Sequence, residues 1–399
     1  MGKTIVERIL SRAGGADAHA GDIVDASVSY VMTNDAVGEL TIKAFEELGR
    51  GMWDPGRTVV ILDHYIPASS PNAARVHALL RRFARNHGAH LFDQTGVCHQ
   101  IMLEQFVRPG DLVIGTDSHT CTYGGVGAFG TGVGSTDGAA AMATGHLWLK
   151  VPETVRIELR GALRPNVSAK DVALHLVGTL GADGATYQAL ELGGPGADGI
   201  TTEGRCTICN MAIEAGAKTG IFETGDIAPD PDAVYSRTIT VELEVVEPMI
   251  AIPYAVDNVR PARDLAGTRI DQAFVGSCTN GRIEDLRAAA AQLAGKHVHP
   301  RVRLLVTPAS SDVYLQATTE GLIETFIRAG AIVCNPGCSA CFGGQGMLDA
   351  GEVCIGSHNR NFRGRMGHPD AKVYLASPET VALSAIAGEI VDLTQGGTP

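Results

Sequence analysis

Runs of apolar residues alternate along the chain with segments in which apolar residues recur every three or four positions. "RTVVILDHYIP" (57–67) is a β-branched run that predicts a buried strand ending at Asp63 and His64. "SPNAARVHALLRRFARNHG" (70–88) has helical periodicity, a serine–proline start and a glycine end. This alternation predicts an α/β fold with mostly parallel sheets.

The pattern recurs to the end of the chain, in "PGDLVIGTDSHT" (109–120), "RIDQAFVGSCTNGRIEDLRAAAAQLAG" (269–295), "RVRLLVTPAS" (301–310) and "AKVYLASPETVALSAIAG" (371–388). A chain of 399 residues is longer than a single core usually supports. Composition shifts near Val151–Pro152 and Pro261–Gly267. We therefore predict three α/β modules, with bounds 1–150, 151–265 and 266–399.

Polar residues follow several of the predicted strands directly. Asp63–His64, Asp117–Ser118–His119 and Cys278 all lie just after an apolar run. In open α/β sheets, ligands bind beyond the carboxyl ends of the strands. We therefore expect these side chains to share one cleft.

Composition and charge narrow the class of partner. A formal net charge of −12 argues against nucleic acid, whereas a few arginines in a cleft still suit a small anionic substrate. There is no apolar run of about 18 residues, and "MGKTIVERILSRAGG" resembles a polar helix more than a signal peptide. We expect no membrane span and a cytoplasmic location. The nine cysteines then serve as metal ligands or core residues and not as disulfides.

The segment "AIVCNPGCSACFGGQGML" (331–348) contains Cys338 and Cys341 in CxxC spacing. A closed structural zinc site needs four ligands, so the spacing alone leaves a zinc site, a redox dithiol and a catalytic metal site open. Cys278 lies between a strand and a helix expected near Arg282, and a helix N-terminus should lower the pKa of its thiol. We expect Cys334 to end the strand "GAIVC" and to pack as a small apolar residue.

The glycine-rich string "GVGAFG" fits the pattern GxGxxG but lacks the βαβ context of a dinucleotide site. No acidic ribose partner follows about 20 residues later. The glycines of the longer string "GGVGAFGTGVG" (124–134) instead predict a place where backbone segments pack closely.

Five strings, "GTDSHT", "TICNM", "GSCTN", "PGCSAC" and "NRNFRGR", occur together and in this order. With this set the chain resembles the aconitase superfamily, and most closely the large subunits of 3-isopropylmalate dehydratase and homoaconitase. The resemblance extends from about Asp22 to the end of the chain. It implies three aconitase-like α/β domains around a central iron–sulfur cleft.

The resemblance implies that Cys278, Cys338 and Cys341 hold one [4Fe–4S] cluster per subunit, with one iron free of protein ligands. A metal with an open position can act as a Lewis acid on a substrate hydroxyl. The implied reaction is the reversible loss and re-addition of water on a hydroxy di- or tricarboxylic acid. His64, paired with Asp63 or Asp117, is the implied general acid.

The resemblance also assigns roles to residues outside the cysteines. The implied catalytic residues are Asp63, His64, His99, Asp117, Ser118, His119 and Glu214. The implied substrate-binding residues are Asn34, Asn210, Asn359, Arg360 and Arg365. Arginine suits this role because its planar fork meets a carboxylate in bidentate fashion.

The chain departs from the family in three places. Phe342-Gly343-Gly344 stands where a histidine commonly precedes Gln-Gly, and His358 stands where small polar residues are usual. The swivelling fourth domain of single-chain aconitases is absent, so the resemblance implies a separate small subunit in a heterodimer or heterotetramer. We expect little activity from this chain alone.

Three alternatives differ in substrate or in class. The substrate could be isopropylmalate, homocitrate or homoaconitate, or a methylmalate-like acid. A non-catalytic iron or redox sensor would need the cysteines but not the histidines and arginines. A zinc hydrolase would use the same three cysteines and would be colourless. The histidines and arginines in matching motifs favour the hydro-lyase.

Overall fold

The computed structural model of the protein describes residues 2–225 and 227–393. The strands are β1 (Ile23–Ser27), β2 (Tyr30–Asn34), β3 (Thr58–Leu62), β4 (His90–Asp93), β5 (Leu112–Gly115), β6 (Phe129–Gly132), β7 (His146–Lys150), β8 (Thr154–Arg160), β9 (Ala189–Gly193), β10 (Thr219–Phe222), β11 (Arg237–Glu242), β12 (Met249–Ala251), β13 (Val259–Pro261), β14 (Gln272–Gly276), β15 (Arg303–Thr307), β16 (Ile332–Val333), β17 (Val353–Gly356) and β18 (Lys372–Leu375). The helices are α1 (Ile5–Gly14), α2 (Gly38–Glu47), α3 (Pro71–His87), α4 (Cys98–Gln105), α5 (Ser135–Thr144), α6 (Ala169–Leu180), α7 (Thr202–Asn210), α8 (Ser277–Asn280), α9 (Ile283–Leu293), α10 (Ser311–Thr319), α11 (Leu322–Arg328) and α12 (Pro378–Ala387). The predicted α/β fold is confirmed.

The first sheet has five parallel strands in the order β4-β3-β2-β5-β6. Strand β3 is buried along its whole length because alternate residues face two different apolar clusters. This explains why its sequence is continuously apolar and does not alternate. Helix α3 connects β3 to β4, and it begins after the capping residue Ser70 and ends at Gly88, as predicted.

The second sheet has four parallel strands in the order β10-β9-β8-β11. Helices α6 and α7 pack on it and bury an apolar cluster that continues to the predicted cluster cysteines. Helix α7 ends at Asn210, and Glu214 follows in a 3-10 turn, Ala212–Ala215. Both residues therefore lie at the end of this helix, next to the first and third sheets.

The third sheet has seven strands in the order β13-β12-β18-β17-β14-β15-β16. The strands from β18 to β16 are parallel, and β12 and β13 add an antiparallel edge. Strands β12 and β13 precede residue 266, where the sequence predicted the third module to begin. The short antiparallel connection at this edge carries no helix, so the sequence pattern there has no βαβ signal.

Strands β1 and β7 form a separate antiparallel ribbon beside the first sheet. Within residues 2–225 and 227–393, no helix is both long and apolar enough to cross a membrane.

The glycine-rich segment after β5 forms a 3-10 helix, Ser118–Val126, that packs against α7 and β10. A Cβ atom on Gly124 would lie 1.6 Å from the carbonyl oxygen of Gly220. Only glycine permits this approach of the first sheet's connection to the second sheet. The prediction of close backbone packing is confirmed here.

The carboxyl ends of the first and third sheets meet. The backbone N–H of Val97 donates to the carbonyl of Ala309 (2.8 Å), and that of Ser311 donates to the carbonyl of Thr95 (2.7 Å). The polar residues that follow β3, β5, β14 and β17 consequently face one another across this junction.

Candidate active site

A cavity of about 160 Å³ lies where the strand ends of the first and third sheets meet. We call one side of it the acid wall, which consists of His64, His99, Asp117, Ser118 and His119. We call the other side the cysteine wall, which consists of Cys278, Cys338, Cys341, Asn359, Arg360 and Arg365. The remaining predicted residues lie directly behind these walls, each hydrogen-bonded to a wall residue: Asn34, Asp63, Asn210 and Glu214.

His64 is the central side chain of the acid wall. Its Nδ1 lies 2.7 Å from Asp63 Oδ1, and its Nε2 lies 3.9 Å from Asp117 Oδ2. Burial disfavours the imidazolium, but the carboxylates of Asp63 and Asp35 outweigh it and raise the pKa of His64 well above its ordinary value. These carboxylates therefore favour the imidazolium form of His64.

Asp35 holds the loop that carries His64. Its carboxylate accepts the backbone N–H groups of Asp63 (3.0 Å), His64 (2.9 Å) and Tyr65 (2.9 Å), and His77 Nε2 lies 2.9 Å away. Burial alone would raise the pKa of Asp35, but hydrogen bonds from His64 and His77 lower it. An ionised carboxylate that accepts this many hydrogen bonds fixes the backbone that carries His64.

Asp63 also caps helix α4. Its Oδ2 accepts the backbone N–H of Cys98 at 2.6 Å, which satisfies a donor of the first turn. The helix then presents Cys98 and His99 to the cavity. Burial, together with the negative charges of Asp63 and Asp117, raises the pKa of the Cys98 thiol. Cys98 therefore remains a neutral thiol on the acid wall's side.

Asp117 collects donors from three directions. His99 Nε2 lies 3.0 Å from Oδ1, the backbone N–H of His119 donates to Oδ1 at 2.9 Å, and Asn34 Nδ2 donates to Oδ2 at 3.2 Å. Burial would raise the pKa of Asp117, but His99 and His119 lower it well below its ordinary value. Asn34 is fully buried behind this carboxylate and also contacts Cys98 and the backbone N–H of Ala36, both of which line the cavity.

Glu214 connects the two walls. Its Oε1 lies 2.8 Å from His119 Nε2 and accepts a hydrogen bond from Arg360 Nε, also at 2.8 Å. The pair is mostly buried, with exposed side-chain fractions of 8% for Glu214 and 25% for Arg360. Because the Nε of Arg360 donates its hydrogen bond to Glu214, the Nη groups are the atoms available to a further carboxylate.

Cys278 follows β14 in the short helix α8. The turn into α8 places Ser277 at φ +77°, a left-handed conformation that serine rarely adopts. Two amides face the sulfur: Asn210 Nδ2 donates to Cys278 Sγ at 3.2 Å and Asn359 Nδ2 at 3.5 Å. These amides were predicted to bind substrate, and the structure places both against the cysteine sulfur.

Cys338 and Cys341 lie in the loop after β16. The backbone N–H of Cys338 donates to the carbonyl of Asp63 at 2.8 Å, and a Cβ atom at Gly337 would lie 2.7 Å from that oxygen. Arg365 donates from Nε to the Cys341 carbonyl (2.7 Å) and from Nη2 to Cys341 Sγ (3.3 Å). The cysteine loop is thus fixed to the acid wall on one side and to an arginine on the other.

Comparison with known proteins places this site in a family. The model of the aconitase family (aconitate hydratase) matches residues 7–228 and 254–388. The chain is 49% identical to the 3-isopropylmalate dehydratase large subunit 1 of Methanopyrus kandleri, over 98% of this chain and 99% of that protein. It is 45% identical to the homoaconitase large subunit of Thermus thermophilus, over 97% and 96% of the two chains. The chain belongs to the aconitase family.

A solved structure agrees in fold. The crystal structure of aconitase X from Thermococcus kodakaraensis superposes with a TM-score of 0.58 at 16% identity, covering 96% of this chain and 95% of that one. At this identity the likeness supports the aconitase-like α/β fold.

Membership of the aconitase family implies an iron–sulfur cluster, and the thiols of the cysteine wall fit one. The three thiols are buried in one cavity, Cys338 and Cys341 are hydrogen-bonded to each other, and N–H donors face two of the sulfurs. The hydrogen bond from Cys338, with Arg365, lowers the pKa of Cys341 well below its ordinary value. Such donors stabilise thiolate ligands.

The pKa predicted for Cys278 was wrong for the metal-free protein. Burial raises the pKa of its thiol to about 12, with a further contribution from Cys341. Helix α8 has four residues, which is too short for its N-terminus to outweigh desolvation. Metal binding would have to deprotonate this thiol.

Sequence reasoning missed two residues of this site and left a third unassigned. Asp35 and Cys98 were not predicted, although Asp35 follows β2 just as Asp63 follows β3. Phe342, noted only as a departure, lines the cavity, and its ring centroid lies 5.0 Å from those of both His64 and Tyr65. Its edge-to-face contact braces the imidazole of the acid wall.

His358, the other departure, is fully buried behind the cysteine wall. Neither of its ring nitrogens has a hydrogen-bond partner within the described residues, and its ring lies 5.6 Å from that of Phe274. Burial lowers the pKa of His358 to about 4, so its imidazole is neutral at physiological pH.

Proposed function

We propose that this chain is the large, cluster-bearing subunit of a hydro-lyase that reversibly dehydrates a hydroxy dicarboxylic acid, with 3-isopropylmalate as the substrate. The observation that carries the proposal is one cavity with three cysteines on one wall and, on the other, a histidine whose Nδ1 lies 2.7 Å from a buried carboxylate. Loss of a hydroxyl needs both a group that binds it and an acid that protonates it. The names of the full-length relatives support the same class.

Cys278, Cys338 and Cys341 would hold a [4Fe–4S] cluster, one per subunit. When bound, a cluster with one iron free of protein ligands supplies a Lewis acid that polarises the substrate hydroxyl. Three thiols on one wall would leave one iron of such a cluster without a protein ligand. Cys98 also lines the cavity, but its thiol lies beside His99 and Asp117.

The residues of the acid wall transfer the proton to and from the substrate's hydroxyl group. His64 donates a proton to the departing hydroxyl, and Asp63 and Asp35 keep the imidazole protonated and oriented. The ionised Asp117 holds His99 and His119 at the other end of this wall. In the reverse reaction His64 accepts the proton from the water that adds.

Arg360 provides the carboxylate contact. Glu214 accepts the hydrogen bond from Arg360 Nε and so fixes the orientation of the guanidinium before substrate binds. The two Nη groups of Arg360 are then left to bind a substrate carboxylate in bidentate fashion. Arg365 is engaged by Cys341 through both Nε and Nη2. We therefore assign Arg360 to substrate and Arg365 mainly to the cysteine loop.

A separate small subunit supplies the base that removes the proton beside the substrate carboxylate. The relatives are named large subunits, which supports a partner of this kind. Such a partner would complete the cavity from its solvent side.

The test uses the chain reconstituted anaerobically with iron and sulfide and mixed with the small subunit encoded by the same organism. Formation of the unsaturated acid is followed by ultraviolet absorbance with 3-isopropylmalate, homocitrate and methylmalate. We expect turnover to be highest with 3-isopropylmalate and to vanish without the small subunit. Highest turnover with homocitrate would favour the homoaconitase assignment that several relatives carry. An intact cluster with bound partner and no turnover on any acid would contradict the proposal.

A further inference from the structure

Lys170 is a lysine with no exposed surface, at the start of helix α6. Lysine is almost never fully buried unless its ammonium group is satisfied. Its Nζ donates to the carbonyls of Ser357 (2.6 Å) and His358 (2.5 Å), and it lies 3.4 Å from Asn280 Oδ1. The three donors of the ammonium group therefore have three acceptors.

These acceptors belong to two of the three segments that build the cysteine wall, the loop after β17 and helix α8. The carbonyls of Ser357 and His358 come directly before Asn359 and Arg360, of which the first faces Cys278 and the second faces the cavity. A third acceptor, Asn280, is held in place by Asp285 at 2.8 Å.

Asn280 lies two residues after Cys278 in helix α8. The loop after β17 and the helix after β14 come from neighbouring strands of the third sheet, whereas Lys170 comes from the second sheet's helix. The Lys170 side chain, which comes from outside the third sheet, thus joins the loop after β17 to the helix after β14.

Packing alone does not require a charged residue at this position. An apolar side chain of the same length would fill the volume, but two consecutive carbonyls would then be buried without donors. Backbone carbonyls in such a position are normally paired. Burial outweighs the opposing charges of Asp285 and Asp171, and the pKa of Lys170 is lowered to about 7.

We propose that Lys170 is a positioning residue, which fixes the loop of Asn359 and Arg360 against the helix of Cys278 so that Arg360 meets the substrate carboxylate. The kinetic part of this inference rests on the proposed function. The positional part does not, because it concerns contacts within the chain.

The first test measures hydrogen exchange in the full chain without cluster or substrate. Lys170→Met should raise the exchange rates of backbone amides in residues 353–365 and 276–282 at least 10-fold. Ser168→Ala is the matched control, because Ser168 caps the same helix without touching either loop. In that control, faster exchange should be confined to the start of α6. Unchanged exchange in both loops of Lys170→Met would overturn the proposal.

The second test is a double-mutant cycle with Arg360→Lys in the reconstituted enzyme with its small subunit. Displacement of a positioned group by about 1 Å can cost about 100-fold in rate, so we expect Lys170→Met to lower kcat/KM by about 100-fold. Because Lys170 acts through Arg360, the double variant should be no slower than the slower single variant. Multiplicative losses would indicate a general structural role and would overturn the proposal.

A second variant guards against a failure of Lys170→Met to fold. Lys170→Gln keeps an NH2 group, whose two N–H donors can still reach the carbonyls, and should give smaller changes in the same two measurements. It is judged by the same criteria. If the wild type turns over no hydroxy acid, the proposed function fails, while the exchange test still decides whether Lys170 holds the loops.

Discussion

The acid wall and the cysteine wall of the cavity are built in opposite ways. The acid wall is a network of opposite charges, in which Asp35, Asp63 and Asp117 surround protonatable imidazoles. In the cysteine wall the three thiols contact each other, neutral amides and one guanidinium. The residues of the acid wall satisfy one another by hydrogen bonds, whereas the cysteine wall includes the buried thiol of Cys278, whose pKa is raised to about 12. On the proposed function, the acid wall is complete after folding, and the cysteine wall is completed by its cluster.

The largest expected effect breaks the cysteine wall alone. Cys338→Ser should prevent assembly of the cluster, so iron and sulfide contents and broad visible absorbance should fall to background, and turnover should become undetectable. Cys334→Ser is the matched control, since Cys334 is partly buried and packs against the core. Full iron content in the Cys338 variant would show that this residue is not a ligand.

The next effect breaks the acid wall alone. His64→Gln should lower kcat by about 10²–10⁴-fold, the range typical for removal of a general acid, with iron and sulfide contents unchanged. The retained cluster is the control within the same sample. If this variant also failed to take up iron, the His64 imidazole would be needed to hold the cysteine loop and not only for proton transfer.

A smaller effect is expected from a substitution that changes the pKa of His64 and leaves the rest of the acid wall intact. The pKa of His64 is raised, so its acid form is present below that pKa and is lost as pH rises through it. Asp35→Asn removes one of the charges that raise it, and the alkaline limb of the kcat–pH profile should move to lower pH. Asp54→Asn, on an exposed turn, should leave the profile unchanged. A limb that stays in place would exclude Asp35 from setting this pKa.

The smallest effect concerns the contact between the walls. Phe342 follows a residue of the cysteine wall and packs edge to face on His64. Loss of such an aromatic pair is worth about 0.5–1.5 kcal/mol, so Phe342→Leu should lower kcat/KM by about 2- to 10-fold. Trp148→Leu, at an exposed ring outside the cavity lining, serves as the control. An unchanged kcat/KM would mean that the ring only fills space.

The site residues that could be predicted from the sequence obey a simple positional rule. Polar residues after β3, β5 and β14 were expected to meet in one cleft, and Asp63, Asp117 and Cys278 do so. Asp35 obeys the same rule after β2, but its partners are backbone N–H groups 28 to 30 positions further along. A backbone N–H group donates whatever the side chain of its residue is. A carboxylate that accepts from such groups is therefore not recognisable from the sequence.

Other features depended on three-dimensional context. The family resemblance identified Asn210 and Asn359 as site residues, but only the structure shows that both amides point at a sulfur. Burial decides the pKa of Cys278, and burial is not readable from its position before a helix. The edge strands β12 and β13 are short, and they join the third sheet by pairing that no local periodicity encodes.

Asp63 lies behind the acid wall and is hydrogen-bonded to residues of both walls. Its side chain holds His64 and the start of α4, and its carbonyl accepts the N–H of Cys338. A shift of the cysteine loop therefore moves the peptide on which the proton donor depends. Binding of the proposed cluster should consequently also change the environment of His64, because its cysteine ligands and the proton donor are attached to one peptide.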